Sequence, residues 1–132
     1  MEIQHREITE KIIKAFYTVY NELGFGFLEK VYQAAILLEL CNSGLVCESQ
    51  KRIKVYYKES EIGDYYPDII VNNLVILELK AAEYIILEHE YQLINYLKAT
   101  EIEIGLLLNF GKKPEFRRKV FANERKRSVF IR

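Results

Sequence analysis

The chain has 132 residues, 50% of them hydrophobic and 29% charged, the composition of an ordinary soluble globular protein and, at this length, of one domain spanning 1–132. No apolar run reaches the ~18 residues of a bilayer-spanning helix, and Met1-Glu2-Ile3-Gln4-His5 does not begin a signal peptide; a cytoplasmic protein without a membrane partner is expected. The formal net charge is zero, which by itself argues weakly against nucleic acid as a partner.

Ile8, Ile12, Phe16, Val19 and Leu23 recur at spacings of four, four, three and four, which predicts an amphipathic helix from about Gln4 to Leu23. Thr9, Glu10, Lys11 and Lys14 fall mainly off that stripe and should face water. Gly24 is placed as the C-terminal cap. A second helix is expected from about Leu28 to Asn42, burying Val31, Ala35 and Leu38, and Gly44 ends it. Leu45 to Lys58 reads as one long strand, because Ile53, Val55 and Tyr57 alternate with Arg52, Lys54 and Tyr56. Glu59-Ser60-Glu61 makes a turn, and Ile62 onward enters a hairpin that ends at Lys80. Ala81 to Leu87 connects to a third helix from about Glu88 to Ala99. Ile102 to Phe110 contains Gly105-Leu106-Leu107-Leu108, a run suited to a strand buried on both faces. Gly111 to Pro114 turns, and Glu115 to Phe121 adds a short edge strand. The order α-α-β-β-β-α-β predicts an α/β fold with a mixed central sheet flanked by helices.

Charge and thiols add two expectations. From Lys112 to Arg132 nine basic residues, among them Arg127 and Arg132, stand against Glu115 and Glu124, so this stretch carries +7. Such a segment is either a polyanion-facing edge or a solvated tail. Cys41 and Cys47 have no His or Cys at zinc-ligand spacing and read as reduced packing residues.

The chemistry concentrates in Tyr66 to Lys80. Two runs rich in β-branched and leucine side chains flank Asn72-Asn73, a hairpin signal because Asn tolerates positive φ. On the second strand Glu78 and Lys80 share a face with Ile76, while Val75, Leu77 and Leu79 fill the other. Charges in so apolar a setting are costly unless paired or bound to a metal. A two-residue turn would pair position 67 with 78 and send Asp68 to the wrong face. A three-residue connection, or a bulge, would instead set Asp68 beside Glu78. A solvated Glu78–Lys80 ion pair on a surface hairpin is the plainer alternative.

Three further groups carry polar side chains at suggestive spacings. Glu29 and Tyr32 lie three apart at a helix start behind Gly26, where a Glu also serves the helix dipole. Gln92 and Tyr96 lie one helical turn apart, with His89 a turn earlier; an amide and a hydroxyl on one face can orient a water or a phosphate. Tyr56, Tyr57, Tyr65 and Tyr66 interleave with Lys51, Arg52, Lys54 and Lys58. That pattern suits a nucleic-acid groove, although strand propensity alone accounts for it.

Pro67-Asp68 followed by Glu78-Leu79-Lys80 resembles the P-D…(D/E)-x-K signature of the PD-(D/E)XK nuclease superfamily. Gly26-x-x-Glu29-x-x-Tyr32 resembles the motif of the GxxExxY proteins within it. Leu23-Gly24, Tyr96-Leu97-Lys98-Ala99-Thr100 and Leu108-Asn109-Phe110-Gly111 are similar to that group as well. The resemblance implies a restriction-endonuclease-like core and a Mg²⁺- or Mn²⁺-dependent nuclease acting on nucleic acid, DNA in the first instance. It implies Asp68 and Glu78 as metal ligands, the Leu79 carbonyl completing the shell and Glu29 as an auxiliary acidic ligand. Lys80 would assist the attacking water, and Gln92 and Tyr96 match a Q-x-x-x-Y helix motif that contacts the active site or the DNA. The alternatives are a non-catalytic nucleic-acid-binding module on the same fold and a protein-interaction module, such as a small homodimer.

Overall fold

In a computed structural model describing residues 4–126, the first apolar stripe forms helix α1 (Arg6–Leu23), which buries Ile12, Ala15, Phe16 and Val19. It also buries Thr9, against the expectation that this residue faces water. The Thr9 hydroxyl donates to the Arg6 carbonyl at 3.1 Å, which satisfies the polar atom within the helix and frees the methyl to pack. Gly24 caps α1 at φ 68° as expected, its N–H donating to the Tyr20 carbonyl.

Helix α2 (Glu29–Asn42) buries Tyr32, Ile36 and Leu40. The expected core residues Val31 and Leu38 are instead exposed at 41% and 68%. Apolar residues occur on several sides of this helix, so spacing alone does not choose its inner face. The sheet chooses it: Tyr32 stacks on Phe110 with ring centroids 4.1 Å apart and planes 12° from parallel.

The expected strand from Leu45 to Lys58 is two strands. β1 (Cys47–Ser49) belongs to the main sheet, whereas β2 (Ile53–Tyr57) pairs with β3 (Ser60–Tyr65) in a separate ribbon. The break falls at Gln50, whose φ of 54° turns the chain. The ribbon turns through Lys58-Glu59, at φ 46° and 70°, the left-handed pair that a two-residue hairpin loop requires.

The main sheet is completed by β4 (Ile69–Val71), β5 (Val75–Lys80), β6 (Ile104–Phe110) and β7 (Pro114–Val120), in the order β1-β4-β5-β6-β7. Only β5 and β6 run parallel, and helix α3 (Leu87–Lys98) makes the crossover between them, as parallel neighbours require. Every residue of β6 is buried, as its apolar run predicts. One face of the sheet packs Val75, Leu77, Leu79, Leu106 and Leu108 under α1 and α2. The other packs Ile70, Ile76 and Leu107 under Leu93 and Leu97 of α3. Gly105 allows that second contact: a Cβ there would sit 2.5 Å from a Leu93 methyl carbon.

Three residues of the basic carboxyl-terminal stretch are built into the structure, while Lys112, Lys113, Arg117 and Arg125 are exposed. Lys119 pairs with Glu90 at 2.5 Å, and Arg118 donates to the Gln4 carbonyl at 2.9 Å. Lys126 is buried and donates to the Thr100 and Ile102 carbonyls; Arg127 and Arg132 lie outside the described residues. Among the described residues no helix is long and apolar enough to cross a membrane.

Candidate active site

The parity of the central hairpin is settled by its loop. Val71 pairs with Val75, Ile70 with Ile76 and Ile69 with Leu77, so three residues, Asn72 to Leu74, make the connection. Asn72 and Asn73 occupy the left-handed region at φ 51° and 55°, and the Leu74 N–H donates to the Val71 carbonyl at 2.9 Å. This register sets Asp68 opposite Glu78. The two residues lock reciprocally. The Asp68 N–H donates to Glu78 Oε1 at 2.9 Å, and the Leu79 N–H donates to Asp68 Oδ2 at 2.9 Å.

Other elements then hold Asp68. Its main-chain carbonyl accepts from Gln33 Nε2 of α2 at 3.0 Å and from the Gln50 N–H at 3.2 Å. Gln50 Nε2 reaches the carboxylate Oδ1 at 3.4 Å. Neither glutamine belongs to the sequence motifs. Gln33 was open to detection, because it lies one helical turn beyond Glu29 and so shares its side of the helix. Gln50 carries no local signal.

The charges are crowded. Glu78 is 3% exposed, and burial, then the neighbouring Asp68 carboxylate, push its pKa up to about 8. Burial also raises Asp68, opposed by the Leu79 N–H, Gln50 and the positive charge of Lys80. Lys80 ends β5 and lowers both acids through its field. Two desolvated carboxylates, two backbone N–H groups and one ammonium thus share the end of one strand pair.

Glu29 does not complete a three-carboxylate cluster with them. Among the described residues no group of three or more His, Cys, Asp or Glu is placed to hold a metal ion. The reason is topological: Glu29 opens α2, which covers the Leu77 and Leu79 face, whereas Glu78 points to the α3 face with Ile76. Glu29 still raises Glu78 weakly through its charge.

On the α3 side, Gln92 Nε2 donates to the Tyr96 hydroxyl at 3.1 Å. Burial, then Glu78, push the Tyr96 pKa up to about 12, which keeps this hydroxyl neutral beside the acids. His89 is committed to the helix start, its Nδ1 accepting the Ile86 N–H at 3.2 Å. The tyrosine-rich ribbon uses its basic residues internally: Arg52 pairs with Asp64 and Glu61, each at 2.7 Å.

Tyr32 positions the loop that carries Glu29. Its hydroxyl donates to the Gly24 carbonyl at 2.7 Å and accepts the Phe27 N–H at 3.2 Å. Tyr32→Phe leaves both groups without this partner, and is expected to cost about 1–3 kcal/mol, read as a lower urea midpoint. Faster amide exchange at Phe27 should accompany it.

A mixed α/β sheet with a buried and a half-buried carboxyl group and a lysine at its hairpin defines the architecture of a restriction-endonuclease-like core. The family model described as the PD-(D/E)XK nuclease superfamily matches residues 6–119, and the chain belongs to that superfamily. No curated protein matches the chain significantly. Among solved structures, the crystal structure of SSO0001 is similar in fold, with a TM-score of 0.54 at 14% identity, over 90% of this chain. The chain spans 58% of the length of that protein.

Proposed function

We propose that this chain is a single nuclease-like domain that hydrolyses phosphodiester bonds in DNA with the help of Mg²⁺ or Mn²⁺. One observation carries the reading: buried Glu78 stands opposite half-buried Asp68, two carboxyl groups whose charged forms repel each other, with Lys80 beside them. A divalent cation offsets that repulsion, and an all-oxygen donor set suits Mg²⁺, which keeps several of its own waters and needs few protein ligands. The residues present fit such an ion. Asp68 and Glu78 would hold it, with the Leu79 carbonyl as a third oxygen and Glu29 as an outer acidic group.

When bound, the metal supplies a water of lowered pKa and offsets charge on the phosphate. Lys80 stabilises the developing negative charge as a fixed ammonium, a role that does not need its deprotonation. The backbone N–H groups of Asp68 and Leu79 hold the two carboxylates in their orientations, and the Gln92–Tyr96 pair presents a neutral hydroxyl to water or phosphate. The superfamily match and the free thiols of Cys41 and Cys47 support a cytoplasmic nucleic-acid enzyme.

The test is cleavage of single- and double-stranded DNA with Mg²⁺ or Mn²⁺, comparing wild type with Asp68→Ala and Lys80→Ala. Equal cleavage by all three sinks the reading. Salt-sensitive DNA binding that survives Glu78→Ala, without any cleavage, marks the non-catalytic module instead. The exposed apolar side chains Leu28, Val31 and Leu38 along α2 support pairing of two copies through this helix. Sedimentation should then show a dimer that Leu38→Lys reduces to monomer.

A further inference from the structure

Two cavities open near the end of β5 that carries Lys80. One, of about 540 Å³, is lined by Phe25, Phe27 and Glu29 from the loop and first turn of α2, and by Ala82 and Glu83 from the segment after Lys80. The other, of about 460 Å³, is lined by Tyr65, His89, Tyr91, Gln92 and Tyr96. The first is also lined by Ala81, the residue after Lys80, and the second by Tyr96, which packs with Ile76 on the face of β5 that carries Glu78.

Each cavity presents an aromatic ring that the protein itself leaves uncovered: Phe25 is 56% exposed and Tyr91 57%. Exposed Tyr84 follows Lys80 in the chain, and exposed Tyr66 precedes Pro67-Asp68. Exposed rings are stacking platforms for planar ligands. Charge points the same way. Among the described residues that line these cavities, Glu29, Glu83 and Glu88 stand against a single cation, Lys112. Phosphate contacts alone would therefore bind poorly here, and stacking has to supply affinity. The more basic groove, lined by Lys51, Arg52 and Lys54, has Arg52 neutralised by Asp64 and Glu61 and lies at the opposite end of β5, beside Asn73 and Ile102.

We propose that these two cavities are base-binding subsites on either side of the scissile phosphate, and that the substrate is an unpaired nucleic-acid strand. Bases held in a duplex are stacked on their neighbours and cannot enter such cavities without first being turned out. The proposal rests on the nuclease reading for the position of the phosphate, and deepens it by naming the substrate class.

The test is fluorescence anisotropy with labelled oligothymidylate of about 12 nucleotides, an abasic strand of equal length, and a blunt duplex. Calcium replaces magnesium, so that binding is read without turnover. Oligothymidylate should bind at least tenfold more tightly than either competitor. Phe25→Ala and Tyr91→Ala should each weaken it by roughly 5- to 150-fold, the measured worth of one stacked base, and leave the abasic strand unaffected. Both positions are exposed, and unchanged thermal unfolding will confirm that the variants fold.

Equal affinity for the abasic strand, no binding of oligothymidylate, or unaltered binding by both variants overturns the proposal. Loss of self-association in the variants, with strand binding intact, assigns the rings to a second copy and also overturns it. Base-dependent binding without Asp68-dependent cleavage upholds the subsites and removes hydrolysis; cleavage indifferent to bases does the reverse.

Discussion

Asp68→Asn should lose cleavage by roughly 100- to 1,000-fold or more, the range seen when one preorganised group that stabilises transition-state charge is removed, while the protein stays folded. Asn is the informative replacement because its side-chain oxygen can still accept the Leu79 N–H, now held by Asp68 Oδ2 at 2.9 Å. Alanine would orphan that donor and mix a stability loss into the rate. Lys80→Ala should cost about as much without disturbing the reciprocal bonds between Asp68, Glu78 and Leu79. If Asp68→Asn cleaves at the wild-type rate in a single-turnover assay with Mg²⁺, the carboxyl pair is structural and the hydrolytic proposal falls. Comparing kcat with KM separates a chemical role for Lys80 from simple attraction of the phosphate.

The metal-free protein should become less stable as the pH rises from about 4.5 to about 8, the interval between the ordinary Glu value and that of buried Glu78. The sign follows from proton binding. The unfolded chain releases this proton near 4.5, whereas the folded chain keeps it until about 8. The folded state therefore binds more protons across that interval, and stability declines through it and levels off above. The full swing is on the order of 5 kcal/mol, and Asp68, also raised, acts in the same direction. Urea midpoints measured in chelator between pH 5 and 8 test this. Glu78→Gln should flatten the profile, since its amide oxygen still accepts the Asp68 N–H, and it should leave the metal-free protein more stable than wild type at pH 8. Added Mg²⁺ should restore more stability at pH 8 than at pH 5. A flat wild-type profile, unaffected by Mg²⁺, would mean that the crowding of the two acids has no thermodynamic consequence.

Much of this protein is legible in local pattern. The 3.6-residue period of Ile12, Phe16 and Val19, the all-apolar run of β6 and the glycine after Leu23 each report a choice made within a few residues. The family signature is legible for the same reason, since Pro67-Asp68 and Glu78-Leu79-Lys80 are short and contiguous. Side-chain alternation likewise put Glu78 and Lys80 on the face of Ile76. Where pattern left two outcomes open, as with two or three residues in the Asn72-Asn73 turn, it did so because loop length and strand parity are facts about pairing between segments.

Decisions that depend on distant surfaces could not be read from the chain alone. The inner face of α2 was one: that helix is apolar on several sides, and only Phe110 in the sheet selects Tyr32 over Val31. The division of residues 45–58 was another, because Gln50 turns the strand when the Asp68 carbonyl is there to receive its N–H. Glu29 shows the limit most clearly. Its motif spacing is intact, yet the helix it begins lies across the opposite side of the sheet from Glu78, so a shared signature does not by itself bring three carboxylates together. Local periodicity chooses which segments become helix and strand; the packing of one segment on another chooses which side chains meet, and the proposed chemistry depends on that second choice.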